Sequence, residues 1–154
     1  MPAKTLKAFL DKKGVKYVSI QHSTAYTSQE IAASAHVSGR DFAKPVIVMI
    51  EGEMAMVVLP ANRQLVLSEL RDMLDTSHVR LASESEFKDV FPDCETGAMP
   101  PFGNLYKIKT YVTANLADEA EIAFNAGAHT EVIKMSYLDF ERLVNPTVLD
   151  FVTT

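Results

Sequence analysis

Two uninterrupted apolar runs, Val46–Ile50 and Met54–Leu59, stand three residues apart. A strand with no polar position has no face to offer water, so both runs read as strands covered on both sides. Glu51-Gly52 supplies the tight turn between them. Such a hairpin belongs at the centre of a layered domain, with other elements packed over it.

The flanking segments supply those elements. Leu6, Phe9 and Leu10 share one helical face, and Gly14 follows where a helix ends. Val15–Ile20 reads as a strand. Thr27 with Glu30 forms a capping box that opens a helix through about His36. Val66, Leu70 and Met73 keep helical spacing over Gln64–Leu74, and Ser83 with Glu86 forms a second capping box. After an irregular stretch, Pro92–Asn104, the residues Ile108, Thr110 and Val112 alternate with Lys107, Lys109 and Tyr111, as in a half-exposed strand. Ile122–Asn125 and His129–Met135 read as a hairpin turning at Ala126-Gly127-Ala128. Ser136 caps a last helix bearing Tyr137, Phe140 and Val144. Helices and hairpins mix without strict β-α-β alternation. The expected fold is therefore α/β, with a mixed, largely antiparallel central sheet flanked by helices, in one domain over residues 1–154.

Composition narrows the function. A net charge of −5 rules out a generic nucleic-acid binder, because affinity for polyphosphate comes mostly from Lys and Arg. The single cysteine, Cys94, permits no intrachain disulfide. No window approaches the ~20 apolar residues of a membrane span, and the N-terminus lacks the apolar core of a signal peptide. The expectation is a soluble cytosolic domain that makes no membrane contact.

Three places can carry chemistry. In Pro92–Gly103, two glycines and the pair Pro100-Pro101 make a rigid loop, and the amides of Gly97, Ala98 and Met99 are left to point at a ligand, as in an oxyanion hole. The same residues also fit a plain surface turn. Lys44 stands at the mouth of an apolar strand, where it either snorkels to water or puts a positive charge on a pocket floor. His22 and His129 lie at strand ends, as structural residues or as catalysts. No histidines have metal-ligand spacing, and no nucleophile elbow, phosphate loop or dinucleotide fingerprint is present. Cys94 paired with a histidine is a further nucleophile option.

Four landmarks occur in order along the chain: Gln21-His22-Ser23-Thr24 before a helix, Ala43-Lys44 entering an apolar strand, Gly97-Ala98-Met99-Pro100-Pro101-Phe102-Gly103, and Asn125-Ala126-Gly127-Ala128-His129. Along nearly its whole length the chain resembles the YbaK / prolyl-tRNA-synthetase-associated editing-domain family, with Gly97 and Pro101 bounding the family's GxxxP loop. The resemblance implies an aminoacyl-tRNA deacylase that needs no metal, no cofactor and no protein nucleophile. Water, helped by the terminal ribose hydroxyl, would attack the ester while loop amides hold the oxyanion. Lys44, Gly97, Ala98, Met99 and His129 would be catalytic. His22, Thr24, Pro100, Pro101, Phe102, Asn125 and Gly127 would bind the substrate. The partners implied are the acceptor end of an aminoacyl-tRNA and an aminoacyl-tRNA synthetase. Met99 and Phe102 point to a small aminoacyl pocket, for alanine or serine among alanine, cysteine, serine and threonine. The chain departs from the pattern at Thr113, where many relatives carry Asp. Two other classes stay open: a non-catalytic tRNA- or nucleotide-binding module of the same fold, and a hydrolase or redox protein dependent on Cys94.

Overall fold

The computed structural model describes residues 4–22, 28–34, 37–150 and 153–154. The apolar hairpin is present as β2 (Ala43–Ile50) and β3 (Glu53–Pro60), paired from Ala43↔Pro60 to Ile50↔Glu53. It lies inside a five-stranded sheet whose other members are β4 (Val79–Leu81), β5 (Lys109–Thr113) and β8 (Thr147–Leu149), in the order β4-β2-β3-β5-β8. A second sheet, in the order β1-β7-β6, joins β1 (Tyr17–Gln21), β6 (Glu121–Asn125) and β7 (Glu131–Ser136), all antiparallel. The mixed α/β fold thus stands, with the sheet divided in two. The halves meet at one parallel bridge, Phe42↔Ala123, where the Ala123 amide donates to the Asp41 carbonyl at 3.0 Å.

The helices cover these sheets. Leu6 and Leu10 of α1 (Lys4–Lys12) and Phe140 of α6 (Tyr137–Val144) join Met56, Val58 and Phe124 in the main core, which both sheets share. On the other side, α2 (Ser28–Ser34) places Ile31 against Phe42, Ala123 and Val132. Leu70 of α3 (Leu67–Leu74) packs on Val48, Val57 and Tyr111. Short helices α4 (Glu84–Phe87) and α5 (Ala114–Ala117) lie in the connections. Ser83 and Glu86 make the capping box read from the sequence, and the Ser136 hydroxyl accepts from the Asp139 amide to cap α6. Thr27 and His36, at the ends of the second expected helix, lie outside the described residues.

One strand differs in kind from its reading. β5 is buried from Thr110 to Thr113, not half-exposed. It runs parallel between β3 and β8, and an inner parallel strand is covered on both faces. Among the described residues no helix is long and apolar enough to cross a membrane.

Candidate active site

The loop after Pro92 and the turn after β6 are laced together. The Glu95 amide donates to the Gly127 carbonyl at 2.8 Å, and the Gly127 amide donates to the Ala98 carbonyl at 2.9 Å. The His129 amide donates to Glu95 Oε1 at 3.1 Å, and His129 Nε2 lies 3.0 Å from the Thr96 carbonyl oxygen. A carbonyl only accepts, so Nε2 carries the proton at this contact and faces the loop, not a substrate water. Any proton acceptance by the ring falls to Nδ1.

Gly97 is the pivot of the loop. Its φ is +86°, a region open to glycine, and a β-carbon there would stand 3.6 Å from His129 Cε1. The sequence left three amides free for a ligand, but the structure leaves two. The Ala98 amide donates to the Glu95 carbonyl at 3.0 Å, closing the turn, whereas the amides of Gly97 and Met99 meet no acceptor among the described residues.

Below the loop, Met99, Pro100, Pro101 and Phe102 are all buried. The Phe102 ring packs edge-on against Phe9, Phe124 and Phe140 at centroid distances of 6.3, 5.3 and 5.4 Å. It therefore anchors the loop in the core rather than shaping a pocket wall, and burial of such a side chain contributes about 1.5–3 kcal/mol. The next residue is held as tightly. A β-carbon at Gly103 would collide with Thr110 Oγ1 and the Ile108 carbonyl, so no larger residue fits there.

The two sheets complete the site. From the Phe42↔Ala123 bridge, β2 and β6 run in the same direction and then part. Lys44 and Asn125 each lie two residues past that bridge, and alternation gives them the same face as Phe42 and Ala123. Asn125 is only 3% exposed, and its Oδ1 is buried with no hydrogen-bond partner among the described residues. A buried unpaired amide oxygen costs about 1–3 kcal/mol, which makes Oδ1 a candidate acceptor. Lys44 is half-buried with Nζ 3.5 Å from the Ala61 carbonyl, and desolvation holds its pKa below the ordinary 10.5.

The structure brings Gly97, Ala98, Gly127 and His129 together, with Asn125 at the end of the strand leading into the turn. His22 joins them through its amide, which donates to the Thr130 carbonyl at 2.9 Å. Thr24 lies outside the described residues. Glu95 was not foreseen; its bond to His129 spans 34 positions, and no local pattern signals it.

Two other residues stand apart from this cluster. Thr113 is buried one residue past the Val58↔Val112 pair, beside Leu59, the partner of Lys44. Its hydroxyl donates to Asn115 Oδ1 at 2.5 Å. Cys94 Sγ lies 3.4 Å from the Tyr106 hydroxyl, and burial pushes its thiol pKa up to about 12. That is the reverse of an activated nucleophile.

Comparison with known proteins identifies the fold and the family. The family model for the aminoacyl-tRNA editing domain matches residues 22–143. The chain is 26% identical over 151 residues to the multifunctional Ser/Thr-tRNA deacylase ProXp-y of Escherichia coli K12, covering 95% of this chain and 90% of that protein. The crystal structure of the hypothetical protein APE2540 superposes with a TM-score of 0.85 at 20% identity, covering 98% of this chain and 100% of the other. A candidate trans-editing enzyme for prolyl-tRNA synthetase superposes at 0.80 with 18% identity, covering 96% and 94%. At that identity the likeness of structures shows the fold, and the family model shows the kinship: the chain belongs to the aminoacyl-tRNA editing domain family.

Proposed function

We propose that the chain acts in trans on mischarged tRNA, hydrolysing the ester that links a small amino acid to the terminal ribose. The chain is an aminoacyl-tRNA deacylase by family and by its named relative. The finer reading rests on the loop–turn assembly, in which the amides of Gly97 and Met99 lack acceptors beside the fixed ring of His129. Those two amides hold the oxyanion as water, assisted by the ribose hydroxyl, attacks the ester carbonyl. Aminoacyl esters are already activated, so positioning and oxyanion stabilisation suffice. Lys44 holds the terminal phosphate or the substrate carbonyl. Asn125 accepts from the substrate, His129 and Gly127 line the aminoacyl side, and His22 and Thr24 border the entry. Ala98, Pro100, Pro101 and Phe102 fix the loop. The mechanism draws on no metal and on no thiol, and the reaction takes place in the cytosol.

Editing also answers a thermodynamic need. A synthetase pocket rejects an amino acid one methylene smaller by only ~1–3 kcal/mol, so a second hydrolytic site is required. Serine and threonine lead the substrates on the strength of the named relative, with alanine and cysteine next. The test is a deacylation panel of tRNAs charged with alanine, serine, threonine and cysteine. Hydrolysis of at least one of them far above the buffer rate is expected. Buffer rates throughout, with tRNA bound, would leave a binding module.

A further inference from the structure

The net charge of −5 is unevenly spread. Residues 1–16 hold five lysines against the single carboxylate of Asp11, a net +4. The rest of the chain holds ten cations against nineteen carboxylates, a net −9. Lys4, Lys12, Lys13 and Lys16 are exposed, and none of them makes an ion pair among the described residues. Lys7 alone is paired, with Glu131.

Helix stability does not account for this ridge. A lysine in the last turn complements the helix dipole, which fits Lys12. Lys4 sits in the first turn, where a cation is unfavourable and no carboxylate offsets it, and Lys16 lies past the helix.

The ridge begins beside the loop–turn half of the candidate site, on the sheet face opposite Lys44 and Asn125, and leads away from it. Lys7 reaches Glu131, whose carbonyl accepts from the Ala126 amide in the site turn, and Phe9 packs on Phe102 under the loop. At the far end Asp11 accepts from the Tyr17 hydroxyl at 2.9 Å. α1 itself spans nine residues, about 13 Å at ~1.5 Å of rise each, with Lys4 at one end and Lys12 at the other. Lys12, Lys13 and Lys16 lie at the distal end.

We infer that this ridge is the track for the phosphate backbone of the RNA whose aminoacylated end enters the site. The four exposed lysines set the number of phosphates the ridge can neutralise at about four. The acidic remainder repels RNA elsewhere, so the charge asymmetry both attracts the substrate and fixes its approach. The choice of RNA rests on the editing reading of the site, whereas the ridge itself does not.

The experiment measures binding of uncharged tRNA against salt for the parent, for Lys12→Gln/Lys13→Gln/Lys16→Gln, and for a control carrying Lys88→Gln/Lys107→Gln/Lys109→Gln. Each neutralised phosphate contributes about −0.7 to −0.9 to the slope of log K on log salt, so the parent slope should be roughly two to four in magnitude. The ridge variant should fall to about one and lose at least tenfold in affinity at about 0.1 M salt. The control should keep the parent slope to within about one. For mischarged substrates, kcat/KM on full tRNA relative to an aminoacylated trinucleotide should drop at least tenfold in the ridge variant only. Equal slopes for parent and ridge variant would overturn the inference. So would displacement of tRNA from the parent by polyglutamate more readily than by competitor RNA, which would assign the ridge to an acidic protein. A parent that deacylates nothing but still loses slope in the ridge variant would refute the editing reading and keep the ridge.

Discussion

Gly97→Ala tests the chemistry where the loop is most constrained. With φ at +86°, an alanine there pays roughly 1–2 kcal/mol, the usual penalty for an L-residue in left-handed backbone. Its β-carbon would stand 3.6 Å from His129 Cε1, an ordinary contact, so the imidazole is not displaced. The cost is therefore one of backbone conformation, and at about 2–4 °C per kcal/mol in a domain of this size it lowers Tm by about 2–8 °C. Relief of the strain rotates the peptide on either side of residue 97. That rotation turns the Gly97 amide away and loosens the bond from Ala98 to Glu95. Loss of one oxyanion donor costs about 10²–10³ in rate. We expect single-turnover deacylation, measured well below the melting temperature with enzyme in excess, to fall at least tenfold while tRNA affinity changes little. A variant with lower Tm and parental single-turnover rate would refute the assignment of the oxyanion to this loop.

Four further outcomes are expected. Lys44→Ala should stay folded, because a half-buried stem contributes modest packing, yet lose most deacylation; a parental rate would remove Lys44 from the site. Burial lowers the Lys44 pKa, so the unfolded chain binds the extra proton, and stability gained from this residue should rise with pH up to the ordinary 10.5. An NMR titration that finds Lys44 at or above 10.5 would contradict that. Cys94→Ala should keep full activity, alkylation at pH 8 should be slow with the thiol near 12, and chelators should leave the rate unchanged; rescue of a dialysed, inactive enzyme by zinc would overturn the mechanism. Glu95→Ala leaves the His129 amide without its acceptor and should cost about 1 kcal/mol and about tenfold in rate, while Glu95→Gln, which retains a carbonyl oxygen, should recover most of both.

The legible parts of this fold were those fixed by neighbours in sequence. Val46–Ile50 and Met54–Leu59 are apolar throughout and share a turn, so the central hairpin could be read directly, as could the caps at Ser83 and Ser136. β4 and β8 are three residues each and owe their existence to the strands beside them, so no local period announces them. The burial of β5 was misread for the same reason, since the alternation of Lys109 and Thr110 says nothing of strands on either flank. At the candidate site, motif order singled out Gly97, Ala98, Gly127 and His129, which the structure brings together. The engagement of the Ala98 amide and the clamp from Glu95 were not legible, because both depend on how two distant segments dock.

The bridge between the sheets has a consequence for how this site can evolve. Lys44 and Asn125 ride on different sheets, so their separation is set at the joint of Phe42 and Ala123 and not within either hydrogen-bond ladder. The joint is one bridge long and is packed by Ile31, Ala61 and Val132. A change of side-chain volume there alters the gap between Lys44 and Asn125 while leaving every strand pairing in register. Under the proposed mechanism, substrate size is thereby separable from catalytic geometry: the loop and turn keep their amides fixed, and a few apolar residues at the joint would gauge what fits between the sheets.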